Sequence, residues 1–409
     1  MRILISTQTY APDANGQSVF TTNLARGLAQ AGHEVGVVLP AYNLRPQQGQ
    51  DDRVTLFRVS ALSLRPWFSE ARVALFTRRG VSHIVHSFCP DVVHLQDHYP
   101  LSWMVFRAAR RSQIPVIGTN HFMPENLLRN LPVPRFAQGL AKWLLWQSLH
   151  ITYDHLALLT TPTPTAAHIL QAQHMQPAVA PVSCGINLSR FRSRPQLDRL
   201  TWRKKYGLAH DKPLFIFVGR VDHEKRLDVF LSAAQQLPND DYQAVIVGRG
   251  THLSSLGQLS QQLSLGDKVV FTGYLPAADL PYVLNSADVF VMPSEAELQS
   301  IATLEAMASG LPVLAANKYA LPELVENGRN GYLFPPGDAT ALAQAMTRMM
   351  AQQARWPAMG EASRQMASRH DFAKTIEAYE RIYRQVLTAV NPARQSARIR
   401  FDYHSFLER

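Results

Sequence analysis

The sequence predicts an α/β protein built from two doubly wound parallel sheets. Short apolar runs alternate with amphipathic segments along most of the chain, the pattern of strands feeding crossover helices. A length of 409 residues exceeds what one hydrophobic core ordinarily organises and suits two domains of about 200 residues each.

In the first series, residues 2–6 read as a strand, 17–31 as an amphipathic helix and 34–39 as a second strand. Further strands are expected at 54–58, 92–95, 116–119, 156–160 and 178–182. The second series starts at 213–219 and continues at 242–247, 268–272, 289–292 and 312–316. The turn-forming stretch CGINLSRFRSRP marks the boundary near residues 185–191, giving domains 1–186 and 187–371. The segment 372–387 places Phe372, Ile376, Tyr379, Tyr383 and Leu387 on one helical face. The Arg-bearing tail after Pro392 reads as exposed surface.

Hydrophobic residues make up 46% of the chain and charged residues 18%, as in a soluble globular protein. No apolar run reaches the ~18 residues needed to span a bilayer. The start MRILIST reads as a strand and not as a secretory leader. Cys89 and Cys184 have no CxxC or Cys/His ligand spacing, which predicts a reducing, cytoplasmic setting and no structural zinc. With 41 basic against 31 acidic residues the net charge is +10, which favours anionic partners. No zinc finger, RNP pattern or helix-turn-helix is present, so nucleic acid is not the expected partner.

The richest segment is residues 288–316, DVFVMPSEAELQSIATLEAMASGLPVLAA. Its apolar start reads as a buried strand, stopped by Pro293 and Ser294. Ile301, Leu304, Met307 and Ala308 then recur at helical spacing, with Gly310 at a helix C′ position. Glu297 falls in the loop and Glu305 in the helix, able to reach opposite ends of one ligand at a sheet's carboxyl edge. Upstream, FIFVGRVDHEKRL sets Arg220 and Lys225 five residues apart behind a strand and Gly219, where two cations can clamp a diphosphate. Near the start, Asn15-Gly16 supplies a turn into the first helix, whose N-terminal N–H groups suit a phosphate. His121 follows the strand in VIGTNHFMPENLL, placed to bond a hydroxyl or take a proton. His98 flanks another strand end, and Glu125 lies four residues beyond His121.

These segments together resemble the retaining glycosyltransferases of family four, over about residues 1–390. The E-x7-E spacing of Glu297 and Glu305 with LEAMASGLPV, and the G-R-(four residues)-K run of Gly219, Arg220 and Lys225, carry the likeness most specifically. TNHFMPENLL is similar to the version in diacylglycerol glucosyl- and galactosyltransferases. The resemblance implies the GT-B fold, two Rossmann-like domains facing across a cleft, with the 372–409 segment packing back on the N-terminal one. It implies a hexosyltransferase acting on a nucleotide diphosphate sugar such as UDP-glucose, with a hydroxyl acceptor of diacylglycerol type. Arg220, Lys225 and Gly16 would serve the diphosphate, Glu305 the ribose, and Gly273 and Tyr274 the base. Glu297, Gln299, Ser300 and His121 would serve the sugar, and His98 and Glu125 the acceptor side. No cofactor and no obligatory metal are implied, the cations taking that part, and the chain has no DxD-type motif in a suitable loop.

Three departures mark this chain. Arg249 stands where relatives usually carry an acid, Asn317-Lys318-Tyr319 replaces a frequent Gly-Gly, and Glu297-Leu298-Gln299-Ser300 replaces Glu-Gly-Phe-Gly. Gln299 is expected to offer its amide in place of the lost glycine N–H groups. Soluble sugar, polysaccharide or phosphoinositol acceptors remain alternatives, as do a GT-B sugar-nucleotide epimerase and an inactive binding protein. Residues 65–79 and 134–150 mix aromatics with Arg and Lys at helical spacing, which fits either a lipid interface or core packing with snorkelling cations. A peripheral contact with an anionic membrane is the corresponding expectation.

Overall fold

A computed structural model describes residues 1–13, 15–63, 72–74, 77–130, 133–237 and 241–390. They fall into two compact units. The first draws on Met1–Pro124, Val133–Ser183 and Ala373 onward, and the second on Glu125–Pro132 and Cys184–Phe372.

The first unit is built on an eight-stranded sheet. In chain order its strands are β1 (Arg2–Ser6), β2 (Glu34–Pro40), β3 (Gln47–Asp51), β4 (Val54–Val59), β7 (Val92–Leu95), β8 (Val116–Thr119), β9 (Leu158–Thr161) and β10 (Val179–Pro181), with a separate hairpin of β5 (Ala61–Ser63) and β6 (Arg72–Ala74). The sheet order is β10-β9-β8-β7-β1-β2-β4-β3. All pairs are parallel except β3 with β4. The edge strand β3, QQGQD, was not expected: four of its residues are exposed, so no apolar pattern announces it. Part of the 65–79 segment, read above as helical, is instead strand β6, and residues 65–71, 75 and 76 lie outside those described. So does the tail after Pro392.

The helix Phe372–Val390 belongs to this unit through polar as well as apolar contacts. The Tyr383 hydroxyl lies 2.8 Å from His94 Nδ1, and the Tyr379 hydroxyl lies 3.1 Å from Thr119 Oγ1. Glu380 meets His33 Nε2 at 2.6 Å on the rim. Tyr379, Ile382, Tyr383 and Val386 form its buried face.

The second unit has a six-stranded, all-parallel sheet. Its strands are β11 (Leu214–Val218), β12 (Gln243–Val247), β13 (Val269–Gly273), β14 (Val289–Met292), β15 (Val313–Ala316) and β16 (Gly331–Phe334), in the order β13-β12-β11-β14-β15-β16. Every residue of β11, β12, β14 and β15 is buried, as a sheet covered by helices on both faces demands. β16 extends the series beyond the last expected strand: a turn at Gly328–Asn330 leads into it, and Gly331 fits because a Cβ there would overlap the Val313 carbonyl. No described helix is long and apolar enough to cross a membrane.

Candidate functional site

In the second unit the chain runs from β11 to one sheet edge and from β14 to the other. The carboxyl end between these two neighbours is therefore the topological switch point, where an open α/β sheet leaves a ligand crevice. Two loops meet there. One follows β11 through Gly219 and Arg220 to the turn His223–Lys225, and the other follows β14 to the helix Ile301–Ala308. They are tied by backbone and side chain: the Glu295 N–H donates to the Glu224 carbonyl at 3.2 Å, and Ser294 Oγ to the same oxygen at 3.3 Å.

Lys225 Nζ donates to Glu297 Oε1 at 2.6 Å, a second tie between the two loops. Burial pushes the Glu297 carboxyl up, but Lys225 and Ser294 outweigh it and hold the group below its ordinary range. Glu297 is thus an anion and a hydrogen-bond acceptor, not a proton donor. Arg220 is half exposed and makes a fork to two carboxylates, Asp222 at 2.5 Å and Glu224 at 2.7 Å. Arg226 pairs with Glu295 and with Asp228. The partners Asp222, Glu224 and Glu295 were not singled out from sequence, although VDHEKR places Asp222 and Glu224 two and four residues after Arg220.

Glu305 sits in the helix Ile301–Ala308, and burial alone raises its carboxyl to about 7, with Arg190 opposing. Ser300, the residue that begins this helix, has φ 72°, in the left-handed region. That is the position where relatives frequently carry glycine, and the backbone keeps the glycine-like shape with a serine in it. Ser300 Oγ lies 2.7 Å from Thr303 Oγ1.

Gln299 departs from its expected role. Its Oε1 accepts the Cys184 N–H at 2.8 Å and its Nε2 lies 3.4 Å from His370 Nδ1, so the amide is bound within the protein. The side chain is buried and ties the loop after β14 to the two chain segments, near residues 184 and 370, that bound this unit.

The nearby glycine loop supports the Arg220 turn. A Cβ on Gly248, whose φ is 143°, would overlap the Gly219 carbonyl. Gly273 has φ 69° at the end of β13, and its carbonyl accepts the Gly248 N–H at 2.9 Å. Tyr274 is exposed beside it, with the Arg249 guanidinium 5.0 Å from its ring centroid.

The first unit has its own switch point, between β1 and β7, because β2 and β8 lie on opposite sides of that pair. A carboxylate missed by sequence reasoning, Asp97, is buried there. It accepts the Gln8 N–H at 2.6 Å, Gln17 Nε2 at 3.1 Å, Ser102 Oγ at 2.7 Å and the Tyr99 N–H at 3.2 Å. Burial raises it and these donors pull it back, leaving it above the usual carboxylate range. Gly16 starts the first helix, but Asn15 caps it: Asn15 Oδ1 takes the Ser18 N–H at 2.9 Å, occupying one of the donors expected for a phosphate.

His121 lies just past β8, with Nε2 3.0 Å from Gln96 Oε1 and its ring 4.9 Å from that of Phe20. Burial lowers its pKa to about 4, so the imidazole is neutral at physiological pH. With Gln96 Oε1 accepting, the proton is on Nε2 and Nδ1 is the acceptor. His94 is fully buried and also neutral. His98 is wedged among Tyr99, Phe122 and Tyr153, and burial lowers it to about 4. Its Nδ1 is buried without a hydrogen-bond partner among the described residues. Glu125 begins the helix Pro124–Asn130 and groups with the second unit. Among the described residues no cluster of three or more His, Cys, Asp or Glu side chains is arranged to hold a metal ion.

Comparison with known proteins finds two family matches along the chain. Residues 14–190 match the family described as Glycosyltransferase Family 4, and residues 198–366 match Glycosyl transferases group 1. A sulfoquinovosyl transferase of Arabidopsis thaliana is 26% identical over 86% of this chain, which spans 66% of the plant protein's length. An alpha-monoglucosyldiacylglycerol synthase of Streptococcus pneumoniae is 25% identical over 82% of this chain and 75% of its own. Among solved structures, the sucrose-phosphate synthase of Thermosynechococcus elongatus superimposes with a TM-score of 0.79 at 20% identity, covering 95% of this chain and 99% of that one.

Proposed function

Because this chain belongs to the family 4 glycosyltransferases and has the GT-B fold, we propose that it moves a hexosyl group from a nucleoside diphosphate sugar, such as UDP-glucose, to a hydroxyl of a diacylglycerol-type lipid, with retention at the anomeric carbon. The observation that carries the reading is the Lys225–Glu297 pair across the β11/β14 switch point, with Arg220 on the same loop. This puts cations and a fixed anion at the one sheet edge where a diphosphate and its sugar would meet both.

Each residue then has a task its environment favours. Arg220 and Lys225 turn from their carboxylates toward the diphosphate and stabilise the charge that builds as it leaves. Glu297, held ionised, accepts hydrogen bonds from sugar hydroxyls. Glu305 in its ionised form takes the ribose diol, and Tyr274 with Gly273 meets the base. His121, neutral with Nδ1 as acceptor, accepts a hydrogen bond from a sugar hydroxyl, whose proton stays on oxygen. In the transfer step the bond from the anomeric carbon to the diphosphate oxygen breaks with its electron pair going to phosphate. The acceptor oxygen bonds the same face of that carbon, and its proton passes to the departing phosphate. No protein nucleophile takes part.

The lipid acceptor is supported by the name of the streptococcal relative and by the TNHFMPENLL segment around His121. The test is a screen of UDP-, GDP- and ADP-hexoses against diacylglycerol, glucosyl-diacylglycerol, inositol phosphate and free sugars, read by mass spectrometry, with the product anomer assigned by NMR. Transfer to diacylglycerol with the donor's anomeric configuration is expected. Transfer confined to soluble acceptors, epimer formation without acceptor, or an inverted product would overturn the corresponding part.

A further inference from the structure

Three neighbouring strands of the second unit end level with one another. Val218 of β11 pairs with Val247 of β12, and an irregularity in the β12/β13 pairing passes over Thr272 and brings Gly273 opposite Val247. Each strand then releases a side chain at the same sheet edge: Arg220 after Gly219, Arg249 after Gly248, and Tyr274 after Gly273. Neighbouring strands lie about 4.8 Å apart, so the row from the strand of Arg220 to that of Tyr274 is about 10 Å long. The phosphates and the base of one nucleotide are separated by a distance of the same order.

The two arginines of this row differ. Arg220 is paired with Asp222 and Glu224, whereas Arg249 makes no ion pair and no side-chain hydrogen bond among the described residues. Its one side-chain contact of note is with Tyr274, whose ring is 58% exposed and lies 5.0 Å from the guanidinium. A guanidinium stacked in this way uses its flat face on the ring and keeps its N–H donors for a partner beside it. Arginine has five such donors and no acceptor. Uracil and guanine present a carbonyl oxygen at the edge where cytosine and adenine present an amino group. Arg249 can donate to the first pair and meets the second donor against donor. The acid usual at this position in relatives would face the same edge with acceptors instead.

We propose that Arg249, held on Tyr274, selects the nucleobase of the donor, favouring a base with a carbonyl at that edge over one with an amino group. The inference rests on the reading that Tyr274 and Gly273 meet the base, and it adds the class of base. Its test is titration calorimetry of the full chain with UDP, GDP, ADP and CDP, and with inorganic pyrophosphate as a probe that has no base. UDP or GDP should bind about tenfold or more tighter than ADP and CDP. Arg249→Met keeps the length and removes the donors, so it should shrink that gap to about threefold or less while pyrophosphate affinity and the unfolding midpoint stay at wild-type values. Arg249→Lys, with a point charge in place of the planar donors, should lie between, and Tyr274→Leu should shrink the gap by removing the platform. Tightest binding of ADP or CDP by the wild type, or a gap that survives in Arg249→Met, would overturn the proposal. So would an equal loss for pyrophosphate and for the nucleotides, which would make Arg249 a diphosphate cation. In each of these cases nucleotide binding itself leaves the donor reading standing, whereas wild-type protein that binds none of the nucleotides would remove that reading and this inference with it.

Discussion

Lys225 Nζ and Glu297 Oε1 lie 2.6 Å apart, and each stands on a different loop of the β11/β14 switch point. The pair is largely buried, so each charge depends on the other. Replacing Lys225 by Ala removes a cation from the leaving diphosphate and leaves Glu297 without its partner. Transfer should fall by about 100-fold or more, and stability at neutral pH by about 3 kcal/mol. The sign of the pH dependence follows from the direction of the Glu297 shift. Its carboxyl is held below the ordinary value in the folded protein, so the wild-type advantage is present at neutral pH and disappears as acid protonates Glu297. Calorimetric unfolding of wild type and Lys225→Ala from neutral to acid pH checks this; parallel curves would contradict it.

Glu305 has the opposite electrostatics. Burial holds its carboxyl at about 7, so it is mostly protonated at about pH 6 and mostly ionised at about pH 8. A ribose diol donates to the ionised form, and binding below the pKa must first expel a proton. Nucleotide-sugar affinity should therefore tighten by roughly tenfold from about pH 6 to about pH 8. Titration calorimetry on wild type and Glu305→Gln measures it. A wild-type Kd that does not change with pH, or a slope that survives in the Gln variant, would exclude Glu305 from the ribose.

Gln299 acts on the loop's position, since its amide is engaged by the Cys184 N–H and by His370. Gln299→Ala leaves the Cys184 N–H without its side-chain acceptor, which costs about 1–3 kcal/mol. Stability should fall by that amount, and kcat should fall with it as the loop carrying Glu297 loosens. A Gln299→Ala protein with unchanged melting and a raised KM for donor would mean instead that the amide serves the sugar directly.

How far the sequence could be read depended on the kind of force involved. Strands such as β11 and β14 are continuous apolar runs with every residue buried, so burial alone writes them into the chain. That Lys225 and Glu297 follow β11 and β14 could be read from the strand ends and turn residues, whereas singling out Glu297, Glu305, Arg220 and Lys225 as a set came from the resemblance of their segments to family four. The exposed polar strand β3 left no such trace, because its place is decided by pairing with β4. The Asp97 cluster was equally hidden: it joins Gln8, Gln17 and Ser102 from three separate stretches, and no local spacing brings them together. The direction of the Gln299 amide could not be read because its partners lie over 70 residues away in either direction.

His121 provides the last test, because its tautomer is set by a chain of neighbours. Gln96 Nε2 lies 3.1 Å from His94 Nε2, and Gln96 Oε1 lies 3.0 Å from His121 Nε2. If the Gln96 amide donates to His94, its oxygen must accept from His121, and His94 then carries its proton on Nδ1 toward the Tyr383 hydroxyl at 2.8 Å. His121 is left neutral with Nδ1 as its acceptor. Long-range proton–nitrogen NMR on labelled histidine should show the Nε2–H form with no titration near 6.5, since burial places the group at about 4. His121→Ala should then cost transfer roughly tenfold, the worth of one hydrogen bond. The pH dependence of kcat at saturating donor should keep its shape in that variant, because a neutral acceptor adds no ionisation of its own. A His121 resonance titrating near neutral pH, or a break in the kcat profile that vanishes in His121→Ala, would instead make this residue a proton-transferring base.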